Sequence, residues 1–187
     1  MNSKNKKIIN SILFFANQSN EAKIGRLKLM KLLWLADRVH LNKYGRLILK
    51  DSYNALPHGP VPSNAMNYSK YSISDYFDVD NYQINAIKSF DSGCFSKSDI
   101  EVLEYVWKKF GHLTAAQLRN FSHKFPEWLR YEKELTDKSL PDSYEIVIDD
   151  FFVQPNDIFK DILEEVDIQN SKLYFHSYNA IQSNLDG

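Results

Sequence analysis

The stretch from Arg26 to Pro62 constrains this chain more than any other. Its first half carries Leu27, Leu29, Met30, Leu32, Leu33, Trp34, Leu35, Ala36, Val39 and Leu41, which lie on almost every side of a helix. A surface helix shows one apolar stripe, whereas a helix apolar nearly all round has to be enclosed by other elements. The expected architecture is therefore a domain wrapped around this helix. Polar relief comes from Lys28, Lys31, Arg38 and Asn42, whose spacing puts them on one narrow face expected to meet solvent. Gly45 is placed to stop the helix. A short extended passage then leads into His58-Gly59-Pro60-Val61-Pro62.

Composition narrows the function classes. A chain of 187 residues that is 43% apolar and 14% aromatic can bury a core without staples. A net charge of −1 gives no global attraction to nucleic acid or to an anionic membrane. The single cysteine, Cys94, excludes an internal disulfide and a multi-cysteine zinc site. Ile8 to Ala16 is too short and too interrupted to cross a bilayer, and no signal peptide is visible, so a cytoplasmic protein is expected.

The elements follow from pattern and punctuation. Lys4, Lys6 and Lys7 open an amphipathic helix on Ile8, Ile9, Ile12, Leu13, Phe15 and Ala16. After Gly45, Leu47–Leu49 and Tyr53–Leu56 read as a small hairpin turning at Lys50-Asp51-Ser52. Ser63 is placed to cap a short helix to about Tyr71, and Tyr82 to Ile87 alternates as a strand. Ser96 with Asp99, and Thr114 with Gln117, have capping-box spacing. The first introduces a helix on Ile100, Leu103, Val106, Trp107 and Phe110, closed by Gly111; the second introduces a helix to about His123. Pro126 opens a further helix with Trp128, Leu129 and Tyr131. Tyr144 to Val153 reads as extended or irregular, and a last helix is expected on Ile158, Phe159, Ile162, Leu163 and Val166. The fold class is thus mainly α: a single helical domain over 1–166 with a small β-hairpin or short strands after the central helix. The tail 167–187, with Leu173, Tyr174, Phe175 and Tyr178, is apolar enough to dock on it.

Chemical constellations are few. In His58-Gly59-Pro60-Val61-Pro62 the glycine and prolines make a rigid turn. That turn either redirects the chain or holds His58 at a recognition surface. Ser122 and His123 are adjacent on a helix, pointing about 100° apart, so they make no nucleophile–base pair. No Gly-x-Ser-x-Gly elbow, phosphate-cradling glycine loop or His-x-x-x-His pair is present, and no enzyme, metal site or cofactor is expected. Helices 98–123 could form a helix-turn-helix offering Gln117, Arg119 and Asn120 to bases, or an ordinary helical hairpin. A binding or regulatory protein is what the residues alone support.

Two blocks of the sequence resemble a known family, the Panacea domain of SocA-like antitoxins. The first block is Leu27, Met30, Lys31, Leu32, Leu33, Trp34, Leu41, Gly45, Gly59, Pro60 and Val61; the second is Leu113, Thr114, Ala115, Leu118, Ser122, His123 and Trp128. Met30, Trp34 and Ser122 stand where that pattern more often has Gln, Tyr and Thr. The resemblance extends over roughly residues 6–159. It implies an antitoxin that neutralises a cognate protein toxin, usually the product of the adjacent gene, by direct contact. A SocA-like variant is an adaptor delivering the toxin to a protease such as a Clp-type machine. The alternative is a DNA-binding transcriptional regulator using helices 98–123, although nucleic acid and membrane are not expected partners. The expected partner-binding surface combines the exposed stripe of the central helix, with Lys31, Trp34 and Arg38, and the turn His58, Gly59, Pro60 and Val61. The resemblance adds His123 and Trp128.

Overall fold

A computed structural model describes residues 3–155, 159, 161 and 168–185. Helix α1 (Ser3–Gln18) leads through a short strand β1 (Lys23–Gly25) into the central helix α2 (Arg26–Tyr44). Every residue of α2 from Leu29 to Asn42 is buried, polar ones included. The helix stops at Gly45, which takes a left-handed φ of 64° and donates its N–H to Leu41 O at 2.8 Å.

The elements packed on α2 explain its composition. Helix α1 contributes Ile8, Ile9, Ile12 and Leu13 to the core. Helices α4 (Lys97–Phe110) and α5 (Ala115–Ser122) both pack on α2, and both start at the expected capping boxes. Asp99 does more than cap. Its buried carboxylate also meets Lys7 at 2.7 Å, Arg46 at 3.0 Å and His40 at 3.2 Å, tying α1, α2 and the loop after α2 to the head of α4. Burial alone would raise this carboxyl, but hydrogen bonds from His40 and Lys7 hold it well below the usual range.

The hairpin lies one step further along than the sequence suggests. Strands β2 (Tyr53–Leu56) and β3 (Gly59–Pro62) pair antiparallel, with Ala55 opposite Pro60 and Leu56 opposite Gly59, so the turn is Pro57–His58. Leu47–Leu49 form no strand, because the buried Asp37 carboxylate holds them, accepting from Ile48 N at 2.6 Å and Leu49 N at 3.0 Å. The prolines of β3 are tolerated because β3 is an edge strand in the order β3-β2-β6, with β6 at Tyr144–Glu145. A second antiparallel sheet, ordered β1-β5-β4, joins Lys23–Gly25 to β5 (Gln83–Ala86) and β4 (Phe77–Asp80).

Helix α3 (Ser63–Tyr68) is shorter than expected and is not capped by Ser63. Ser63 Oγ instead donates to Asn54 Oδ1 at 2.6 Å. Asp51, twelve or more positions upstream, accepts from Asn64 N and Ala65 N at 3.1 and 3.0 Å and so caps the helix from outside. Beyond α5 come α6 (Pro126–Leu129), α7 (Glu132–Thr136) and a 3-10 turn over Ile148–Phe152. The helix expected on Ile158 to Val166 falls outside the described residues except for Asp161, which pairs with Lys109, and Phe159, which packs against Phe110 and Phe125. Helix α8 (Ile168–Leu185) lies against α2 and the 3-10 turn. Phe175 meets Phe152 there, and Lys172 and His176 reach Asp149 at 2.7 and 3.1 Å. Mainly α, with a few short antiparallel strands, describes the whole. Among the described residues no helix is long and apolar enough to cross a membrane.

Candidate partner-binding site

The two sequence blocks, more than fifty positions apart, meet at the β2–β3 hairpin. Lys31 on α2 extends its Nζ under the turn and donates to Pro60 O at 2.7 Å. From the opposite side Trp128 on α6 donates its indole N–H to Leu56 O at 2.9 Å. The two donors therefore grip the last carbonyl before the turn and the second one after it. Gly59 sits between them with φ at 94°, and a Cβ there would fall on Ser122 Oγ and 2.9 Å from Lys31 Nζ. Glycine is required here for conformation and for space. The His123 ring stacks flat on Trp128, with centroids 3.7 Å apart and planes 5° apart, which places it beside the hairpin tip.

Apart from the partly buried Lys28, the polar face of α2 does not meet solvent, and this corrects the expected surface. Lys31, Trp34, Arg38 and Asn42 are all buried. Each polar head finds a partner inside. Trp34 donates to Glu127 Oε1 at 3.0 Å while its ring packs edge-on against Phe125. Arg38 Nε lies 3.3 Å from the same Glu127 oxygen, and its terminal nitrogens donate to Phe151 O and Val153 O. Asn42 donates to Arg38 O and Phe151 O. Trp34 and Arg38 thus lock α6 and the 3-10 turn onto the central helix and present nothing to a partner. Gly59, Pro60 and Val61 are buried as well, whereas Pro57 and His58 are exposed. His123 is partly buried and Trp128 almost wholly so.

What reaches the surface is a small cluster of basic side chains. His58 stands exposed at the tip, and Arg119 on α5 and His123, both partly buried, lie within electrostatic reach of one another. Burial, then the charges of Arg119, Lys31 and His58, push the His123 imidazole down to about 4, so it is neutral at physiological pH. Burial, reinforced by Arg119, holds the Lys31 ammonium well below its ordinary value. Burial raises the Glu127 carboxyl, with Arg38 opposing.

Ser122 Oγ donates to Arg119 O of its own helix at 2.8 Å, so it is not aligned with His123. Among the described residues no group of three His, Cys, Asp or Glu side chains could hold a metal ion. Sequence reasoning took Arg119 only as a base-contacting candidate and passed over Glu127. An acid inside the apolar run Phe125-Pro126-Glu127-Trp128-Leu129 was the one available signal for the latter.

The structure is thus a helical domain that clamps a short hairpin and presents its tip beside a basic cluster. The family model described as antitoxin SocA-like, Panacea domain, matches residues 29–129, and the chain belongs to that family. The match spans both clamp donors and every residue named at the hairpin, but is shorter at both ends than the resemblance read from the sequence. No curated protein and no solved structure matches the chain.

Proposed function

We propose that this protein neutralises a cognate protein toxin, the product of an adjacent gene, by direct contact in the cytoplasm. Its contact surface is the hairpin tip with His58, Arg119 and His123. The observation that carries this reading is the convergence of both family blocks on one clamped turn. A turn already fixed in the free protein loses little freedom when a partner docks on it. The mode of action is binding; Ser122, the hydroxyl next to His123 in the sequence, is committed to its own helix.

The test is co-expression with the neighbouring gene. The parent is expected to relieve growth arrest and to co-purify with the toxin. His58→Glu, which puts an acid at the exposed tip, is expected to fail while unfolding at the parent's urea midpoint. Full protection by a folded His58→Glu variant would move the contact surface elsewhere. Pulse–chase labelling separates two modes: delivery to a Clp-type protease shortens the toxin's lifetime, whereas blocking leaves it intact in an inactive complex. Sequence-selective duplex binding at physiological salt, with steep salt dependence, would replace this reading by the regulator one.

A further inference from the structure

The surface around the Pro57–His58 turn gathers basic groups from three elements. Lys31 comes from α2, His58 from the hairpin, and Arg119 and His123 from α5 and its C-terminal end. They are close enough for Lys31, Arg119 and His58 all to oppose a positive charge on His123. Arg119 Nε and His123 Nε2 are buried atoms with no hydrogen-bond partner. Among the described residues, no carboxylate pairs with Arg119, His123 or His58. Elsewhere Arg38 has Glu127 and Arg46 and Lys7 share Asp99, while the partly buried Arg26 and Lys28 donate to the carbonyls of Ser69 and Gly111. Basic groups held together, with a buried guanidinium nitrogen and a buried ring nitrogen left without partners, cost stability that packing elsewhere has to offset. Such an arrangement is completed by an anion from outside.

We propose that Arg119, His123 and His58 form a receptor for one carboxylate, presented by an acidic side chain of the bound toxin, with Lys31 anchored beneath. The proposal rests on the toxin-binding reading and adds the chemistry of the contact. A guanidinium with a free edge is the donor whose geometry matches two carboxylate oxygens. The cluster suits a monoanion better than a phosphate dianion. His123 is neutral at pH 7, Lys31 Nζ is already bonded to Pro60 O, and proline offers no backbone N–H at the turn.

Two measurements on the full chain test this, and they fail independently. The first needs no toxin. The Arg119 Nε–H resonance is followed by NMR at pH 7 during titration with sodium acetate, with chloride and phosphate at matched ionic strength. Acetate is expected to shift it saturably and more strongly than either, and His58→Ala is expected to weaken the response. Equal responses to acetate and chloride would overturn the receptor, and a preference for phosphate would overturn the carboxylate assignment.

The second measurement is toxin affinity by calorimetry. Arg119→Gln is expected to weaken binding about 10–100-fold and Arg119→Lys less, as for loss of a charge-assisted pair. Both variants are expected to fold, with a urea midpoint equal to the parent's or higher, because Arg119 has no internal partner and opposes Lys31 and His123. Toxin binding by Arg119→Gln within about twofold of the parent would sink the proposal, since a charged pair is worth more than that. Failure of the parent itself to bind the toxin would sink the antitoxin reading and leave the acetate titration to judge the anion site.

Discussion

At Gly59 a left-handed backbone and a filled space coincide, so one methyl group tests both. Gly59→Ala has to adopt φ near 94° and displace Ser122 Oγ or Lys31 Nζ. A cost of about 2–4 kcal/mol is expected from strain plus overpacking, read as a lower urea midpoint at unchanged slope. His123 carries a pH signature. Its folded value of about 4 lies below the ordinary 6.5, so the unfolded chain binds more protons between these values. Stability therefore rises with pH across that window, and it is lost as pH falls through it. The buried Asp37, raised to about 6 chiefly by desolvation, acts in the opposite sense over the range between its unfolded value and 6. Comparison with a variant isolates the histidine: His123→Gln is expected to lose less stability than the parent between pH 7 and pH 4.5, by urea titration at each pH. The roles of Lys31 and Arg38 were not legible in the sequence. Apart from Glu127 beside Arg38, their partners are carbonyls of Pro60, Phe151 and Val153. A carbonyl is present at every residue, so no pattern of side chains marks the one that will bind a buried cation.

Among the elements, those defined by local chemistry were legible. Helix α2 ends at its glycine, and α4 and α5 begin at their capping boxes, because each signal lies within one turn of what it controls. The hairpin was misplaced because Gly59-Pro60-Val61-Pro62 reads as a breaker. Only its position at the edge of the sheet, which depends on β2 and β6, makes it a strand. The capping of α3 was misassigned for the same reason: Ser63 is adjacent in sequence, but Asp51 is adjacent in space. Asp51→Ala is expected to cost about 1–2 kcal/mol, as for loss of an N-cap. Amide exchange should accelerate at Asn64 and Ala65. Unchanged protection at both amides would assign the cap to another group.

For the whole molecule, the family match ends at residue 129, while α8 completes the cover over α2 from outside it. The inner side of α8 is set by Phe175 against Phe152, whereas Leu173 faces solvent. Phe175→Ala is expected to destabilise the chain by about 1–2 kcal/mol, a fraction of a full core truncation. Leu173→Ala should change stability by no more than about 0.5 kcal/mol. Equal effects of the two in urea titration would mean that the helix is not seated as described. The clamp on the hairpin has a consequence for sequence variation as well as for folding. Lys31 and Trp128 grip the turn through the carbonyls of Pro60 and Leu56, and the side chains of Pro57 and His58 lie outside that grip. The tip is thereby uncoupled from the core that supports it. Substitutions there are expected to be close to neutral for folding, so the exposed surface can change its chemistry while the scaffold stays intact.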